Sequence, residues 1–393
     1  MNKKIKELPT APKNYDQILP VLKKYFPYIR EDFYLYENLY DTYYHLLADL
    51  IKYPLAWCYM VWSKRGPGKT YSALWLFYYC KVPFIYMKRT DKDVHLILSE
   101  QKDLNFDPCP YAPLKRDKQI RVVGAEIDAG IGAFYVADNE GEPTSQLLCY
   151  VLSFNKVQKY KGFDFSSAEA IIFDEFIPQK GERCLKSEGE NLLDLYMTVR
   201  RDRAKRGRPS LKLILFANAE EIAVPVTREL ETLDMMAYLN SCNDTHYYME
   251  DRRIMLHHIT NDEVPIRDEE MDDIYIGMKG TQWWDKAFNG HFTHNDFTNV
   301  MPKSLKRCKP ILEVHHRTST YYIYLNEEKG FYYMSTTPAK CRQFFDLNRE
   351  NEQKRFYLEW ALDLREACIE ERFKFEKYSM YDLIINYKKY FEV

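Results

Sequence analysis

The sequence predicts an α/β fold, a mainly parallel sheet followed by a smaller α+β region, and three observations carry that expectation. Residues 56–89 read as strand, glycine loop, helix and strand. Two further short apolar runs, "AIIFDEF" (Ala170–Phe176) and "LKLILFANA" (Leu211–Ala219), are of the type buried on both faces of a parallel sheet. After about Glu220 the character changes, to a mixed region with one hairpin and a helical tail.

Taken in order, residues before about 50 mix aromatic and charged positions at helical spacing, which predicts two or three short helices. "AWCYMVW" (Ala56–Trp62) is a buried strand, "KTYSALWLFYYC" a helix and "PFIYMKR" (Pro83–Arg89) the next strand, together a βαβ unit. Between Ile120 and Phe154, alternating runs around Asn139-Glu140-Gly141-Glu142 predict antiparallel strands set into that core. "ENLLDLYMTVRRDRAKR" (Glu190–Arg206) is a helix stopped by Gly207 and Pro209, and "VPVTRELETLDMMAYLNSC" a linking helix. "TYYIYLNEEKGFYYMS" (Thr320–Ser335) is a hairpin, and a helical tail starts near Arg349.

A net charge of −2 over 393 residues gives no global pull toward nucleic acid, so such a contact must come from local basic patches. The 33 tyrosines suit a tyrosine-rich core or a nucleic-acid path, with the core as the plainer reading. The nine cysteines form no C-x-x-C pair, which points to free thiols in a reducing compartment. His257–His258 and His315–His316 lack the spacing and cysteine partners of a metal site and read as core or surface histidines. The start has no apolar h-region, and the longest apolar stretch is too short for a bilayer span, so a cytosolic protein is expected.

The loop of the βαβ unit is "SKRGPGKT" (Ser63–Thr70). Successive backbone N–H groups of such a loop face phosphate oxygens, backed by the positive end of the next helix. Ser63, Lys64, Arg65, Gly66, Pro67, Gly68, Lys69 and Thr70 are therefore the candidate nucleotide-binding residues. Lys69 reaches the β/γ-phosphates and Thr70 ligates Mg²⁺. Ser63 stands where the first glycine is usual, a mild change, and Pro67 removes one N–H donor, at about 0.5–1.5 kcal/mol.

"IIFDEF" supplies two carboxylates at the end of a strand, Asp174 for the magnesium shell and Glu175 for the attacking water. "LFANAEE" ends a strand in Asn218, a candidate sensor of the γ-phosphate or the water, or an ordinary cap. "RRDRAKRGR" (Arg200–Arg208) carries five arginines and Lys205. It reads as a solvated helix face, as a projection toward a neighbouring subunit's nucleotide, or as a contact to DNA phosphates.

The ordered set "SKRGPGKTYSA", "FIYMKRTDK", "QKYKGFDFSSAEAIIFDEF", "LLDLYMTVRRDR" and "LFANAEE" resembles the DNA encapsidation ATPases of small tailed bacteriophages, the φ29-type packaging motors. The likeness is good over roughly Ala56–Glu220 and thins to "GTQWWDKAFNGHF" (Gly280–Phe292) and "KGFYYMS" beyond it. It implies a P-loop core of ASCE/RecA-like type, related to terminase large subunits, plus a C-terminal domain that is a degenerate RNase H-like fold. The implied organisation is a helical extension at 1–50, an ATPase domain at 51–220, a linker at 221–245 and a vestigial nuclease-like domain at 246–393 that binds nucleic acid or portal. The implied cofactors are ATP and Mg²⁺. The implied partners are double-stranded DNA, the portal (connector) of a procapsid and further copies in a ring, a pentamer in the family, with a packaging RNA left open and no membrane. The work is done in the host cytoplasm at the portal vertex.

By position in the family pattern, Lys69, Thr70, Asp174 and Glu175 take the loop and acidic-strand roles, and Arg201 falls on the arginine that acts across the subunit interface. Lys92 and Lys161 fall on basic positions of that interface, and Arg200 and Arg203 are rivals of Arg201. Nuclease activity is not expected, because "DEVPIRDEEMDD" (Asp262–Asp273) reads as a surface loop and "YYIYLNEE" has no aspartate in its apolar part. "KSLKRCK" (Lys303–Lys309) is a basic patch for nucleic acid or portal. Two other classes stay open: a nucleotide-gated DNA- or portal-binding adaptor without sustained hydrolysis, and a P-loop helicase or filamentous-phage assembly ATPase.

Overall fold

A computed structural model describes residues 19–30 apart from 21 and 22, 43–99, and 107–393 apart from 180, 183, 243, 294 and 392. The expected helices at 1–18 and 31–42 lie outside the described residues. The chain divides into two compact units, Met1–Val226 with Tyr238–Thr293, and Thr227–Ala237 with His294–Val393.

The first unit is built on nine strands: β1 (Cys58–Ser63), β2 (Phe84–Lys88), β3 (Val122–Asp128), β4 (Ile131–Ala137), β5 (Pro143–Ser153), β6 (Ala170–Asp174), β7 (Lys212–Asn218), β8 (His246–Met249) and β9 (Ile254–Ile259). Their order in the sheet is β3-β4-β5-β2-β6-β7-β1-β9-β8. The middle of the sheet is parallel throughout, with β5, β2, β6, β7, β1 and β9 aligned in one direction. β1 and β6 are buried along their whole length and β7 up to Ala217, so their side chains are apolar on both faces rather than alternating. The expected antiparallel strands are β3, β4 and β5, added at one edge.

Helices α1 (Leu46–Lys52), α2 (Lys69–Tyr79), α3 (Asp91–Leu98), α4 (Ala112–Lys118) and α5 (Glu188–Val199) accompany this sheet. α2 starts directly from the glycine loop and buries Ala73, Leu74, Leu76 and Phe77 in the core. α3 is started by a capping box, in which Thr90 Oγ1 accepts from the Asp93 amide and Asp93 Oδ2 accepts from the Thr90 amide. Among the described residues, no helix is long and apolar enough to cross a membrane.

Three expectations are corrected here. α5 ends at Val199, not Arg206: Asp202 takes a left-handed φ of 60° and Arg203 turns inward to donate to Ala168 O (2.8 Å) and Pro209 O (3.0 Å). The linking helix is two helices, Pro225–Glu229 and Leu233–Ser241, with Glu231 at a left-handed φ between them. The boundary expected near 245 is not where the chain divides, because β8 and β9 join the large sheet beside β1.

The second unit has a five-stranded sheet from β10 (Lys309–His316), β11 (Ser319–Asn326), β12 (Phe331–Ser335), β13 (Gln343–Asp346) and β14 (Phe373–Phe375), in the order β13-β10-β11-β12-β14. β10, β11 and β12 form an antiparallel meander, and β13 and β14 add in parallel at its two edges. The expected hairpin is β11–β12, and the helical tail is interrupted by β14. Leu312, Ile323, Met334, Phe345 and Phe375 pack with Phe356, Leu364 and Leu383 of the tail helices.

A buried ion pair ties the strand-free segment of this unit to its last helices. The Arg228 guanidinium donates to both oxygens of Asp382 (2.8 and 3.0 Å), and Tyr390 and Asn386 fill the remaining acceptor sites of that carboxylate. Removing one partner strands a charge in the interior, so Asp382→Ala is expected to cost about 3–5 kcal/mol. The Arg228→Met/Asp382→Leu pair is expected to recover most of that loss in denaturant unfolding.

Candidate nucleotide-binding site

Parallel pairing brings the carboxyl ends of β2, β6, β7 and β1 to one edge of the sheet, where ligands of open α/β sheets bind. Ser63 at the end of β1 lies in register with Asn218 at the end of β7, and Asp174 at the end of β6 with Phe216 two residues before it. Sequence-distant candidates Ser63, Asn218 and Asp174 therefore share one rim because β7 runs between β1 and β6.

The loop after β1 turns through Gly66 (φ 88°) and Gly68 (φ 94°), left-handed positions that only glycine takes without strain. Gly68 is the N-cap of α2, so Lys69 and Thr70 open the helix. Lys69 is buried and its Nζ donates to Ser63 Oγ and to Lys64 O (3.4 Å). Ser63 thus gives the lysine an oxygen that a glycine would lack. Burial pushes the Lys69 ammonium down to about 8, against the opposing pull of Asp174 and Glu175. Pro67, which lacks an N–H, uses its carbonyl instead, accepting from the Tyr44 amide at 2.9 Å. Arg65 is exposed.

The helix reaches the acidic strand through Thr70, whose Oγ1 donates to Asp174 Oδ1 at 3.1 Å. The other oxygen of Asp174 accepts from Tyr86 OH (2.7 Å) and Lys88 Nζ (3.2 Å). Burial alone would raise the Asp174 carboxyl, but Lys88 and these hydrogen bonds outweigh it and hold it below the usual carboxylate range. It is an ionised, oxygen-donor group. Lys88 also donates to Glu175 Oε2 at 3.2 Å and so bridges the acid pair. Glu175 itself sits at φ 58°, a left-handed conformation that costs a side-chain-bearing residue about 1–2 kcal/mol. The turn is held by its neighbours: the Phe176 amide donates to Phe216 O (3.0 Å), and Arg89 joins Phe176 O to the buried Glu188 of α5.

Tyr86 and Lys88 were not among the residues picked out from the sequence. Their signal was available in the i, i+2 spacing on β2, which sends both side chains to one face. Residues from beyond Glu220 also come to the loop. Glu270, in the acidic run read as a surface loop, lies 4.0 Å from Lys64 Nζ, and its Oε1 would stand 3.3 Å from a Cβ placed on Gly66. Gly290 (φ 71°) packs so closely that a Cβ there would meet Lys64 N at 2.4 Å. A cavity of about 410 Å³ opens beside Gly66 and Gly68, lined in part by Tyr43, Tyr71, Trp75 and Arg116.

The basic candidates separate. Arg203 is buried in its own chain, ion-paired with Glu169, which rules it out as an arginine offered to a neighbour. Arg200 and Arg201 are exposed just after the end of α5, and Lys92 is exposed on α3. The side chain of Lys161 lies outside the described residues.

The class defined by fold and site is an α/β protein whose glycine turn and helix N-terminus face an acidic pair across the carboxyl ends of parallel strands. Its fold is similar to that of phage DNA-packaging motors. The bacteriophage phi-29 viral genome packaging motor assembly aligns over 89% of this chain and 100% of its own, with 16% identity and a TM-score of 0.58. The phi-28 gp11 DNA packaging motor aligns over 86% and 95%, with 16% identity and a TM-score of 0.52. A large terminase from a thermophilic bacteriophage aligns over 82% and 72%, with 12% identity and a TM-score of 0.37. No protein-family model and no curated protein matches the chain.

Because Gly290 seats the loop, Gly290→Ala combines a forbidden contact with a left-handed φ. It is expected to cost about 2 kcal/mol or more in unfolding measurements and to weaken binding of a fluorescent ATP analogue, whereas Gly277→Ala, with open space around it and no left-handed φ, leaves binding unchanged.

Proposed function

We propose that this chain is the ATPase subunit of a motor that packages double-stranded viral DNA into a procapsid. ATP would be hydrolysed between neighbouring subunits of a ring. The observation that carries the reading is the Thr70–Asp174 hydrogen bond, which joins the helix after the glycine loop to the acidic pair. The strand order, with β7 between β1 and β6, supports an ASCE/RecA-like P-loop core, and the fold-level likeness to packaging motors supports the biological setting.

In this reading the loop amides from Lys64 to Thr70, Pro67 excepted, and the N-terminus of α2 take the phosphates, and Lys69 exchanges Ser63 Oγ for a β/γ-phosphate oxygen. The Thr70 hydroxyl and the ionised Asp174 carboxylate are hard oxygen donors of the kind Mg²⁺ takes beside phosphates. When bound, Mg²⁺ neutralises charge on the β,γ-phosphates. Glu175, released from Lys88, accepts a hydrogen bond from the attacking water and orients it, and Asn218 senses the γ-phosphate or that water. The aromatic cavity beside the loop takes the base. Arg201, with Arg200 as its rival, reaches a neighbour's nucleotide, and Lys92 and Lys161 serve the same interface. DNA is moved through phosphate-backbone contacts.

The second unit acts as a binding rather than a cutting domain. β11, the central strand of its meander, carries no carboxylate. The basic patch at Lys303–Lys309 is its candidate contact with nucleic acid or portal.

The test is steady-state ATP hydrolysis with and without long double-stranded DNA. Wild type is expected to be stimulated by DNA, and Glu175→Gln to bind ATP with turnover reduced by about 10² or more. Turnover that is absent in both and indifferent to DNA overturns the motor in favour of a nucleotide-gated adaptor. A mixing experiment addresses the arginine: Arg201→Ala and Glu175→Gln subunits, each inactive alone, are expected to regain partial activity when combined, because an intact Glu175 site then meets an intact Arg201. No recovery sinks the role in trans.

A further inference from the structure

The phosphate loop carries a cationic side chain that the chemistry above does not use. Lys64 is buried, and its Nζ has no hydrogen-bond partner. An ammonium group held away from water without an acceptor is costly. Its ion-pair partner is Glu270, whose Oε2 lies at 4.0 Å, beyond hydrogen-bond reach. We propose that Lys64 is a second phosphate-binding lysine beside Lys69, acting through its side chain, and that Glu270 is the acid that competes with the nucleotide for it. The proposal rests on the nucleotide-binding reading above and adds two side chains to that site.

Glu270 is fixed against the loop. Its Oε1 would stand 3.3 Å from a Cβ placed on Gly66, so the carboxylate lies on the turn whose amides are read as facing phosphate. Arg267 holds it there: the Arg267 amide donates to Glu270 Oε2 at 3.0 Å, and Arg267 Nη2 donates to Glu270 Oε1 at 2.5 Å. These bonds close the short turn at Asp268–Glu270. The Arg267 guanidinium in turn lies 5.1 Å from the centre of the Tyr43 ring, which lines the cavity beside Gly66 and Gly68.

This arrangement leaves the lysine half-satisfied. Arg267 keeps the carboxylate just short of Lys64, near enough to act on its charge but too far to accept its proton in a hydrogen bond. Burial pulls the Lys64 ammonium below its ordinary value and Glu270 opposes that pull, while Arg267 adds to it. A phosphate oxygen supplies the acceptor that Lys64 lacks, in a charge-assisted bond. Glu270 works against it in two ways, by repelling the phosphate and by claiming part of the lysine's attraction.

An acid in this place sets how long a nucleotide stays. ADP keeps two phosphates at the loop after hydrolysis, so Glu270 shortens its stay and opens the loop to the next ATP. The acid is carried by the segment after β9, the strand that pairs with β1, so the sheet that positions the loop also positions its competitor.

The experiment follows release of mant-ADP, a fluorescent ADP analogue, from the full-length chain by stopped flow, with excess unlabelled ADP as the chase. Glu270→Gln keeps the shape and one acceptor oxygen, and is expected to slow release by about tenfold, whereas Lys64→Met is expected to speed it by about tenfold. Asp268→Asn removes an exposed charge from the same turn and is expected to release at the wild-type rate. Opposite signs mark competition, because a purely structural role makes both variants release faster. Release from Glu270→Gln at the wild-type rate or above overturns the proposal, as does release from Lys64→Met no faster than wild type. If Glu270→Gln does not fold by circular dichroism, Glu270→Ala is measured in its place against the same criteria. Lys69→Ala separates the two readings. If it holds mant-ADP as wild type does, the phosphate-loop reading fails and takes this one with it; if it loses binding while Glu270→Gln behaves as wild type, the role of Glu270 alone is rejected.

Discussion

The constraint on which the site rests is the parallel alignment of β1, β7 and β6. Parallel neighbours end at the same edge, so the turn after β1, the amide at the end of β7 and the acid pair after β6 meet without any of them being adjacent in sequence. A parallel sheet must be covered on both faces, which is why these strands are apolar throughout and why polar groups concentrate at their last residues. Ser63, Asp174 and Asn218 each stand at such an end, the point where the chain leaves the core and a polar side chain is first tolerated.

Most polar groups of this rim are paired with one another, although Lys64 Nζ is buried with no hydrogen-bond partner. Lys69 is held by Ser63 Oγ, Lys88 spans Asp174 and Glu175, and Glu270 approaches Lys64 beside Gly66. Lys69, Lys88, Asp174 and Lys64 sit where water has limited access, so leaving any of them bare would be destabilising, whereas Glu175 is exposed. An anion entering the loop therefore exchanges partners with an existing network and does not fill a bare hollow. The left-handed backbone of Glu175 belongs to the same network: the bonds from Phe176 to Phe216 and to Arg89 hold a conformation the residue would not adopt alone.

Much of the core was legible in the sequence because it follows local rules. The loop from Ser63 to Thr70, the strands around it and the antiparallel insertion announce themselves by apolar runs and turn residues. What failed to show did so for identifiable reasons. α5 stops early because Arg203 finds Glu169 and the Ala168 carbonyl, far away in sequence, and the nearby Pro209 carbonyl, a gain that outweighs the helical propensity of "RRDRAKR". β9, "IMLHHI", is buried along its whole length but carries two histidines, which disguised a central strand as part of another domain. Asp49 and His257 form a buried hydrogen bond although they are 208 residues apart, so no spacing rule joins them. Tyr86 and Lys88 were visible as strand residues, but their role depends on β6 lying next to β2.

The antiparallel strands at the edge of the large sheet carry a consequence for life in solution. An outermost strand exposes unpaired backbone groups that invite pairing with other chains. β3 is that strand. Its final stretch is exposed, with the carboxylates of Glu126 and Asp128 flanking an exposed Ile127, and the register slips between Glu126 and Asp128. Carboxylates and an irregular ladder make a poor template for a second molecule. A chain that must assemble with copies of itself in one chosen geometry, as proposed for this one, gains from an edge that discourages every other kind of self-association.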